Sequence, residues 1–249
     1  MKNKIIEISK IDTLEMIKKY HYSNTLPKIN KHYLGYYVNN KLVGVLTLGY
    51  GTRPLHTIKR IFPSLETKDY YEIGRMCMTD DMPRNSESQM IKAVCKWIKQ
   101  NEPQIKILFT WADGVLGKPG YVYQASGFIY AGYSVGEMYM KDGVKIHVRQ
   151  IKHFIAPNDK RITVRPTLEQ MKEFNIKHYK GKQFRYIRFL CGKIEKRRLL
   201  KECQIDLTNK NPKNKDLFWK EKNFEGKWIE CDKPEYVTDI KINKTKEKN

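Results

Sequence analysis

Long apolar runs are missing from this 249-residue chain. None of its hydrophobic stretches approaches the ~20 residues that cross a bilayer as a helix. The opening residues, MKNKIIEISK, alternate charge with apolar side chains and hold neither a secretory core nor a cleavage site, so a soluble, intracellular setting is expected. Cysteine is sparse. Cys77, Cys95, Cys191, Cys203 and Cys231 stand far apart, with no CxxC pair and no Cys/His knuckle. That argues against a zinc ribbon and for free thiols in a reducing compartment. Internal repeats are absent too. Acid is also in short supply: 27 Asp and Glu stand against 48 Lys and Arg, a formal net charge of +21.

The imbalance is uneven along the chain. Residues 141–249 hold 29 basic and 15 acidic side chains, a net of +14, which leaves +7 for the first 140. A lysine-rich genome would raise lysine everywhere, but it would not concentrate it in one half. A chain this basic is drawn to polyanions, of which nucleic acid is the commonest large one. With 40% hydrophobic residues the chain can still bury a real core, in one large domain or two unequal ones.

KIIEIS predicts a strand, and DTLEMIKKYHYS a helix capped by Asp12 with Glu15 at the capping-box position. HYLGYYV and KLVGVLTLGYG, joined by Asn39-Asn40, predict a hairpin. YYEIGRMCMT predicts a further strand. It breaks at DDMPRNSES before the helix SESQMIKAVCKWIKQN, where Met90, Ala93, Val94, Trp97 and Ile98 recur at helical spacing. The strand IKILFTWAD, the short helix GYVYQASGF and the strand IYAGYSVGEMYM follow. This order predicts an α/β (α+β) fold, a mixed sheet with helices on its faces. The pattern changes at FIAPNDKRITVRPTL. The expected division is a domain over 1–155, a basic C-terminal extension over 156–240 and a disordered tail over 241–249.

Several residues stand where chemistry or binding can occur. The helix after PRNSES, capped by Ser86 or Ser88, opens with amides that lack intrahelical partners and, with the helix dipole, suit a pyrophosphate. Asp113 closes an apolar strand, where it can take a proton or simply cap the loop GVLGKPG. Arg75, mid-strand beside Gly74, needs an anionic partner: a ligand phosphate or carboxylate, or Asp80, Asp81 or Asp113. His21 and Tyr22 end the first helix. Segment 177–201 holds ten Lys or Arg against the single acid Glu195. There Lys180, Lys182, Arg185, Arg188, Arg197 and Arg198 can neutralise phosphates, and Tyr179, Phe184 and Tyr186 can stack on a base. A solvated charged face is the competing reading of that segment.

The element order, the strand EIGRMCMT running into a polar loop and helix, and YQASGF together resemble the GNAT superfamily of N-acetyltransferases. The resemblance implies a mostly antiparallel central sheet flanked by helices. It implies acetyl-CoA or a related acyl-CoA as donor, and a proton-donating Tyr123 four residues before Gly127-Phe128. KYHYS, HYLGYYVNNKLVGVLTLG, EIGRMCMTDDMPRNSES and WADGVLGKPGYVYQASGF, in that order, are similar to the phage Mom-like branch, and FRYIRFL resembles its C-terminal part. The superfamily's pyrophosphate loop carries glycines that PRNSES lacks, so a non-standard donor loop is implied, with Arg75, Asn85, Ser86 and Ser88 holding the donor.

Mom-like proteins modify DNA bases, in the founding member by placing a methylcarbamoyl group on adenine N6. The implied function is therefore transfer of an acyl-type group to an exocyclic amine such as adenine N6 in phage DNA, in the host cytoplasm, protecting that DNA from host restriction. Tyr123, Asp113 and His21 would handle protons. Adenine N6 is paired inside a duplex, so the base must be extruded; Tyr22 and the aromatic stretches KYHYS and HYLGYY would wall it. Iron is implied by the branch, although no His/Asp spacing marks a metal site. DNA and the acyl donor are the implied partners, no membrane is, and homodimerisation is left open. Two other readings compete: an acetyl-CoA-dependent N-acetyltransferase acting on protein, tRNA or a small molecule, and a non-catalytic nucleic-acid-binding module on the same fold.

Overall fold

The computed structural model describes residues 3–23, 25–146, 148–161 and 163–237, so the expected tail 241–249 lies outside the described residues. The chain begins with β1 (Asn3–Glu7), α1 (Lys10–Tyr20), β2 (Asn30–Val38), β3 (Lys41–Gly49), α2 (Pro54–Lys59), β4 (Tyr70–Met78) and α3 (Ser86–Asn101). It continues through β5 (Ile107–Asp113), α4 (Tyr121–Ala125), β6 (Ile129–Lys141), β7 (Val144–Ile146), α5 (Val148–Ile155) and α6 (Leu168–Glu173). Last come β8 (Ile176–Phe189), α7 (Lys193–Glu202), β9 (Trp219–Lys222) and β10 (Trp228–Cys231). The mixed α/β class, mostly antiparallel, is as expected.

Two compact units form. One comprises Met1–Trp111, Gly120–Gly132 and Arg185–Asn211, the other Ala112–Pro119, Tyr133–Phe184 and Pro212–Asn249. The division expected at 155–156 is a border of neither unit. β6 and β8, at 13 and 14 residues, are long enough for each to contribute to both, so the units interleave in sequence.

In the first unit β1, β2, β3 and β4 are successive antiparallel neighbours, and β5 joins β4 in parallel. Asn39 and Asn40 both take positive φ, 49° and 65°. That is the type I′ geometry that matches strand twist in a two-residue hairpin. α1 begins earlier than Asp12. Ser9 Oγ accepts the Asp12 N–H at 3.0 Å and donates to Asp12 Oδ2 at 2.7 Å, so Ser9 is the cap and Asp12 its reciprocal partner. α2 has no counterpart in the expected elements. α3 runs over the expected residues and buries Met90, Ile91, Val94, Cys95 and Ile98. The main core gathers Ile58, Phe62, Tyr70, Phe109, Ile187 and Leu199, and burial of each such side chain contributes about 1.5–3 kcal/mol.

In the second unit β7 pairs β6, and β9 joins β8 with β10 outside it, all antiparallel. Tyr139, Ile151, Met171 and Ile176 form its core. α6 is fixed by a reciprocal capping box between Thr167 and Gln170. Among the described residues the five cysteines are free thiols, and no helix is long and apolar enough to cross a membrane.

Candidate functional site

The first unit builds its site around an irregularity in β4. Arg75 lies opposite Thr47 of β3 while Ile73 lies opposite Leu48, which leaves Gly74 as an extra residue. Side chains alternate along a strand, so residues three apart normally point to opposite sides. The bulge shifts the phase and brings Glu72 and Arg75 to the same side. Glycine is required there: a Cβ on residue 74 would come within 2.9 Å of both Pro27 Cγ and Thr47 Oγ1.

Arg75 is tied in place by oxygens. Its Nε donates to the Thr25 carbonyl at 3.0 Å, Nη1 to the Gly74 carbonyl at 2.9 Å and Nη2 to Ser23 Oγ at 3.2 Å. The Ser23 N–H in turn donates to His21 Nδ1 at 2.9 Å. The same Nδ1 lies 3.0 Å from the Ser23 carbonyl, so both backbone groups of Ser23 close on this one ring nitrogen. His21 is buried and stacks on Tyr22, their centroids 4.2 Å apart. Arg75 thus anchors the segment that follows α1. The carboxylate whose charge it opposes is Glu72, whereas Asp81 pairs with Lys41 at 3.2 Å.

Glu72 was not among the expected site residues. It is half-buried, and burial pushes its carboxyl up to about 7 against the pull of Arg75. The one sign of it in sequence is an acid inside the apolar run YYEIG, where alternation alone would place it on a solvated face. Tyr123 belongs to the same electrostatic group. Burial raises its phenol above the ordinary value, Glu72 adds to the shift, and the Thr110 hydroxyl and Arg75 oppose it. Tyr123 therefore stays protonated at neutral pH and next to Glu72 and Arg75 it is a group that can give a proton.

The spacing of Tyr123 from Gly127-Phe128 has a backbone cause. The Phe128 N–H donates to the Tyr123 carbonyl at 3.1 Å and the Gly127 N–H to the Gln124 carbonyl at 3.2 Å, with Gly127 at φ 73°. This is a Schellman cap, in which the left-handed residue stands four after the first bonded carbonyl. The helix stop fixes the tyrosine. Its ring rests against Phe128 and Tyr186 at 5.5 and 5.8 Å.

At the start of α3 the cap is neither Ser86 nor Ser88 but Asn85, at φ 71°. Asparagine tolerates this left-handed conformation better than any residue except glycine. The glycine that the loop PRNSES lacks is replaced by a residue that takes up the same backbone. Ser86 is buried and its hydroxyl donates to the Pro83 carbonyl at 2.7 Å, so it serves the turn. Asn85 is exposed and Ser88 half-buried.

Asp113 falls in the second unit. Its Oδ1 accepts the Leu116 N–H at 3.4 Å and caps the turn Gly114–Leu116, the capping alternative raised by the sequence. Burial raises its carboxyl, and Lys145, the backbone and Lys118 oppose the shift. Burial in turn lowers the Lys118 ammonium.

The basic residues of 177–201 divide between structure and surface. Arg185 Nε donates to the Ala131 carbonyl at 2.7 Å and its guanidinium covers Trp111, 5.7 Å from the ring centre. Arg188 donates to the Ser126 carbonyl at the end of α4. These two hold the fold, because β8 is a core strand whose long cations reach carbonyls and an indole. Arg198 stands on α7, exposed and paired with Glu195 at 2.9 Å. Arg197 is exposed. Lys182 donates to the Asp216 carbonyl at 2.7 Å, and Lys180 lies 4.2 Å over Trp228. Tyr179, Phe184 and Tyr186 are 4%, 1% and 0% exposed, which rules out the stacking role expected of them. HYLGYY is likewise a core strand, with Leu34 and Tyr36 buried, and no loop wall. Among the described residues no group of three or more His, Cys, Asp or Glu is placed to hold a metal ion, and iron finds no support.

The sequence model of the Mom protein family matches residues 2–206. A curated relative, the methylcarbamoylase Mom of Escherichia phage Mu, is 34% identical over 182 residues, which cover 73% of this chain and 73% of the relative. Among solved structures, an N-acetyltransferase from Staphylococcus aureus is 14% identical with a TM-score of 0.40, covering 76% of this chain and 99% of its own. An aminoglycoside acetyltransferase solved with coenzyme A is 10% identical with a TM-score of 0.39, covering 53% and 87%.

Proposed function

This chain belongs to the Mom protein family, and we propose that it transfers an acyl-type group, methylcarbamoyl or acetyl, to an exocyclic amine of a DNA base such as adenine N6. The observation that carries the reading is the grouping of Glu72, Arg75 and Tyr123 in the first unit: a carboxyl near 7 beside a protonated phenol and a fixed guanidinium.

Aminolysis needs one group to take a proton and another to give one. An exocyclic amine has its lone pair delocalised into the ring and attacks poorly unless its proton is removed as the bond forms. Glu72, about half ionised at neutral pH, is matched to that task. Tyr123 gives its proton to the departing group, which leaves more readily neutral than charged. Arg75 supplies fixed positive charge where negative charge develops, and through Ser23 it positions His21 and Tyr22 on the acceptor side. Asp113 keeps its carboxyl for the turn it caps in the second unit, and no proton step is placed on it.

An acyl-CoA-like donor, when bound, supplies the activated acyl group. The left-handed Asn85 turns the chain as a glycine would, so the first free amides of α3 and Ser88 are presented to a pyrophosphate. The residues present fit that group. Lys180, Lys182, Arg197 and the other basic side chains contribute charge that draws DNA, and the host cytoplasm is where that DNA is met.

Nucleoside mass spectrometry on DNA from cells expressing the protein tests this, beside Tyr123→Phe and Glu72→Gln. The expected result is one nucleoside with an added mass, lost in both variants, on DNA that resists host restriction. Unmodified DNA from well-expressed wild-type protein would overturn it. Acetylated protein or tRNA in the same cells would move the reading to that acceptor.

A further inference from the structure

β9 and β10 lie beyond residue 206, outside the stretch that the family match covers. Their hairpin is closed by Asn223, whose Oδ1 accepts the N–H groups of Glu225 at 3.1 Å and Lys227 at 2.8 Å. The register places Lys180 opposite Lys220, Trp228 opposite Lys222 and Glu230 opposite Lys220. Directly opposed residues share a face, as do alternate residues along a strand. Lys180 and Lys182 of β8, Lys220 and Lys222 of β9 and Trp228 of β10 therefore project from one side, with Glu230 as the acid among them.

The cations alternate with rings. Lys180 Nζ lies 4.2 Å and Lys222 Nζ 6.0 Å from the Trp228 centroid. Lys182 Nζ lies 5.0 Å from the Tyr133 ring and 5.5 Å from that of Phe218. On the same side Trp228 packs edge-on against His178 at 4.9 Å, and His178 stacks on Tyr139 at 4.0 Å, so the indole is held by its neighbours. Burial pushes His178 down to about 4, so it is neutral and the charge of the face comes from lysine. Tyr133 is 51% exposed.

Like charges set directly across a sheet are destabilising, and Lys180 opposite Lys220 is such a pair. Glu230 bonds Lys220 at 3.3 Å but is itself 84% exposed and offsets only one of the charges. The facing lysines gain nothing from each other in the folded chain, whereas a run of phosphates laid across them would neutralise both. Lysine spaced along a sheet with an exposed ring between is the arrangement that tracks a backbone and stacks a base.

We propose that this face of β8, β9 and β10 binds a single strand of DNA, with Lys180, Lys220 and Lys222 on phosphates and Tyr133 stacked on a base. The choice of DNA rests on the function proposed above; the surface itself does not depend on catalysis.

Fluorescence anisotropy of the full-length protein with a labelled single-stranded oligonucleotide tests it, with heparin as the comparison polyanion. Lys180→Ala, Lys220→Ala and Lys222→Ala combined should weaken oligonucleotide binding about 30-fold and lower the log–log salt slope by about 2. Tyr133→Ala should weaken it about tenfold and leave heparin binding unchanged. Thermal melting checks that each variant is folded, and Lys220→Glu repeats the charge test at a single position. Unchanged oligonucleotide affinity in the folded lysine variants would overturn the proposal. Equal losses for heparin and oligonucleotide in every variant would make the face a general polyanion surface, and would also overturn it. If binding depends on the lysines but no strain yields a modified nucleoside, the function reading fails while this one stands.

Discussion

Glu72 and Arg75 face the same side of β4 because Gly74 stands between them as an unpaired extra residue. The charge of Arg75 restrains the rise of the Glu72 carboxyl, which burial nonetheless carries to about 7. A base at that value is half ionised at neutral pH. Glu72→Gln should lower the rate of base modification at least ~100-fold. In wild type the rate should climb as pH rises through 7 and level off above it. A rate flat from pH 5.5 to 8.5 would remove Glu72 from the chemistry.

The same carboxyl makes a prediction about stability. Its folded value lies above the ordinary 4.5. Below 4.5 it is protonated whether folded or unfolded, and contributes nothing to pH dependence. Between 4.5 and 7 the unfolded chain releases the proton and the folded protein retains it, so the contribution to stability falls as pH rises. At ~1.4 kcal/mol per unit, the cost above pH 7 is at most about 3 kcal/mol. Glu72→Gln should therefore match wild type at pH 4 and exceed it at pH 8 in urea unfolding. A variant less stable than wild type at pH 8 would mean that the carboxylate is well accommodated and its high value misassigned.

The strands, α3 and the hairpin were legible because each is a local pattern. Alternation, helical spacing and Asn39-Asn40 act within a few residues. The place of Tyr123 was legible for the same reason, since its spacing to Gly127-Phe128 is a helix stop written in six residues. Glu72 was not. Its side depends on a bulge that appears only when β3 pairs with β4, and its carboxyl value on what packs over the strand. The basic segment misled in the opposite sense. Arg185 and Arg188 read as a surface from composition, yet they sit on a long core strand and end on carbonyls. Charge density in sequence does not distinguish a cation in solvent from one turned inward.

Two glycines with similar backbone angles should respond differently to alanine. Gly51 has φ 73° and a Cβ there would overlap the Glu72 carboxylate; Gly127 has the same φ of 73°, but the nearest atom to its Cβ is Arg188 Nη1 at 3.7 Å. Gly127→Ala meets backbone strain alone, about 1–2 kcal/mol. Gly51→Ala adds displacement of the Glu72 side chain. Gly127→Ala should lower the melting temperature and keep most activity, while Gly51→Ala should lose activity as Glu72→Gln does. Denaturation curves and modification assays on the pair separate strain from chemistry, and equal activities in both would break the link between Gly51 and Glu72.

Asn85 supplies the last test, because its side chain makes no cap hydrogen bond and its φ is 71°. The role proposed for it at the donor loop is then a matter of backbone shape. Asn85→Gly should keep the left-handed turn, leave the melting temperature within a degree or two and leave KM for the donor unchanged. Asn85→Val must force a β-branched residue into that conformation, at a cost of roughly 1–2 kcal/mol or a rearranged turn. A rearranged turn would tilt the first amides of α3 away from the donor, so KM should rise about tenfold with kcat little altered. Steady-state kinetics across donor concentrations distinguish the two. If glycine raises KM as much as valine does, the asparagine side chain itself touches the donor, and backbone shape is not what the loop contributes.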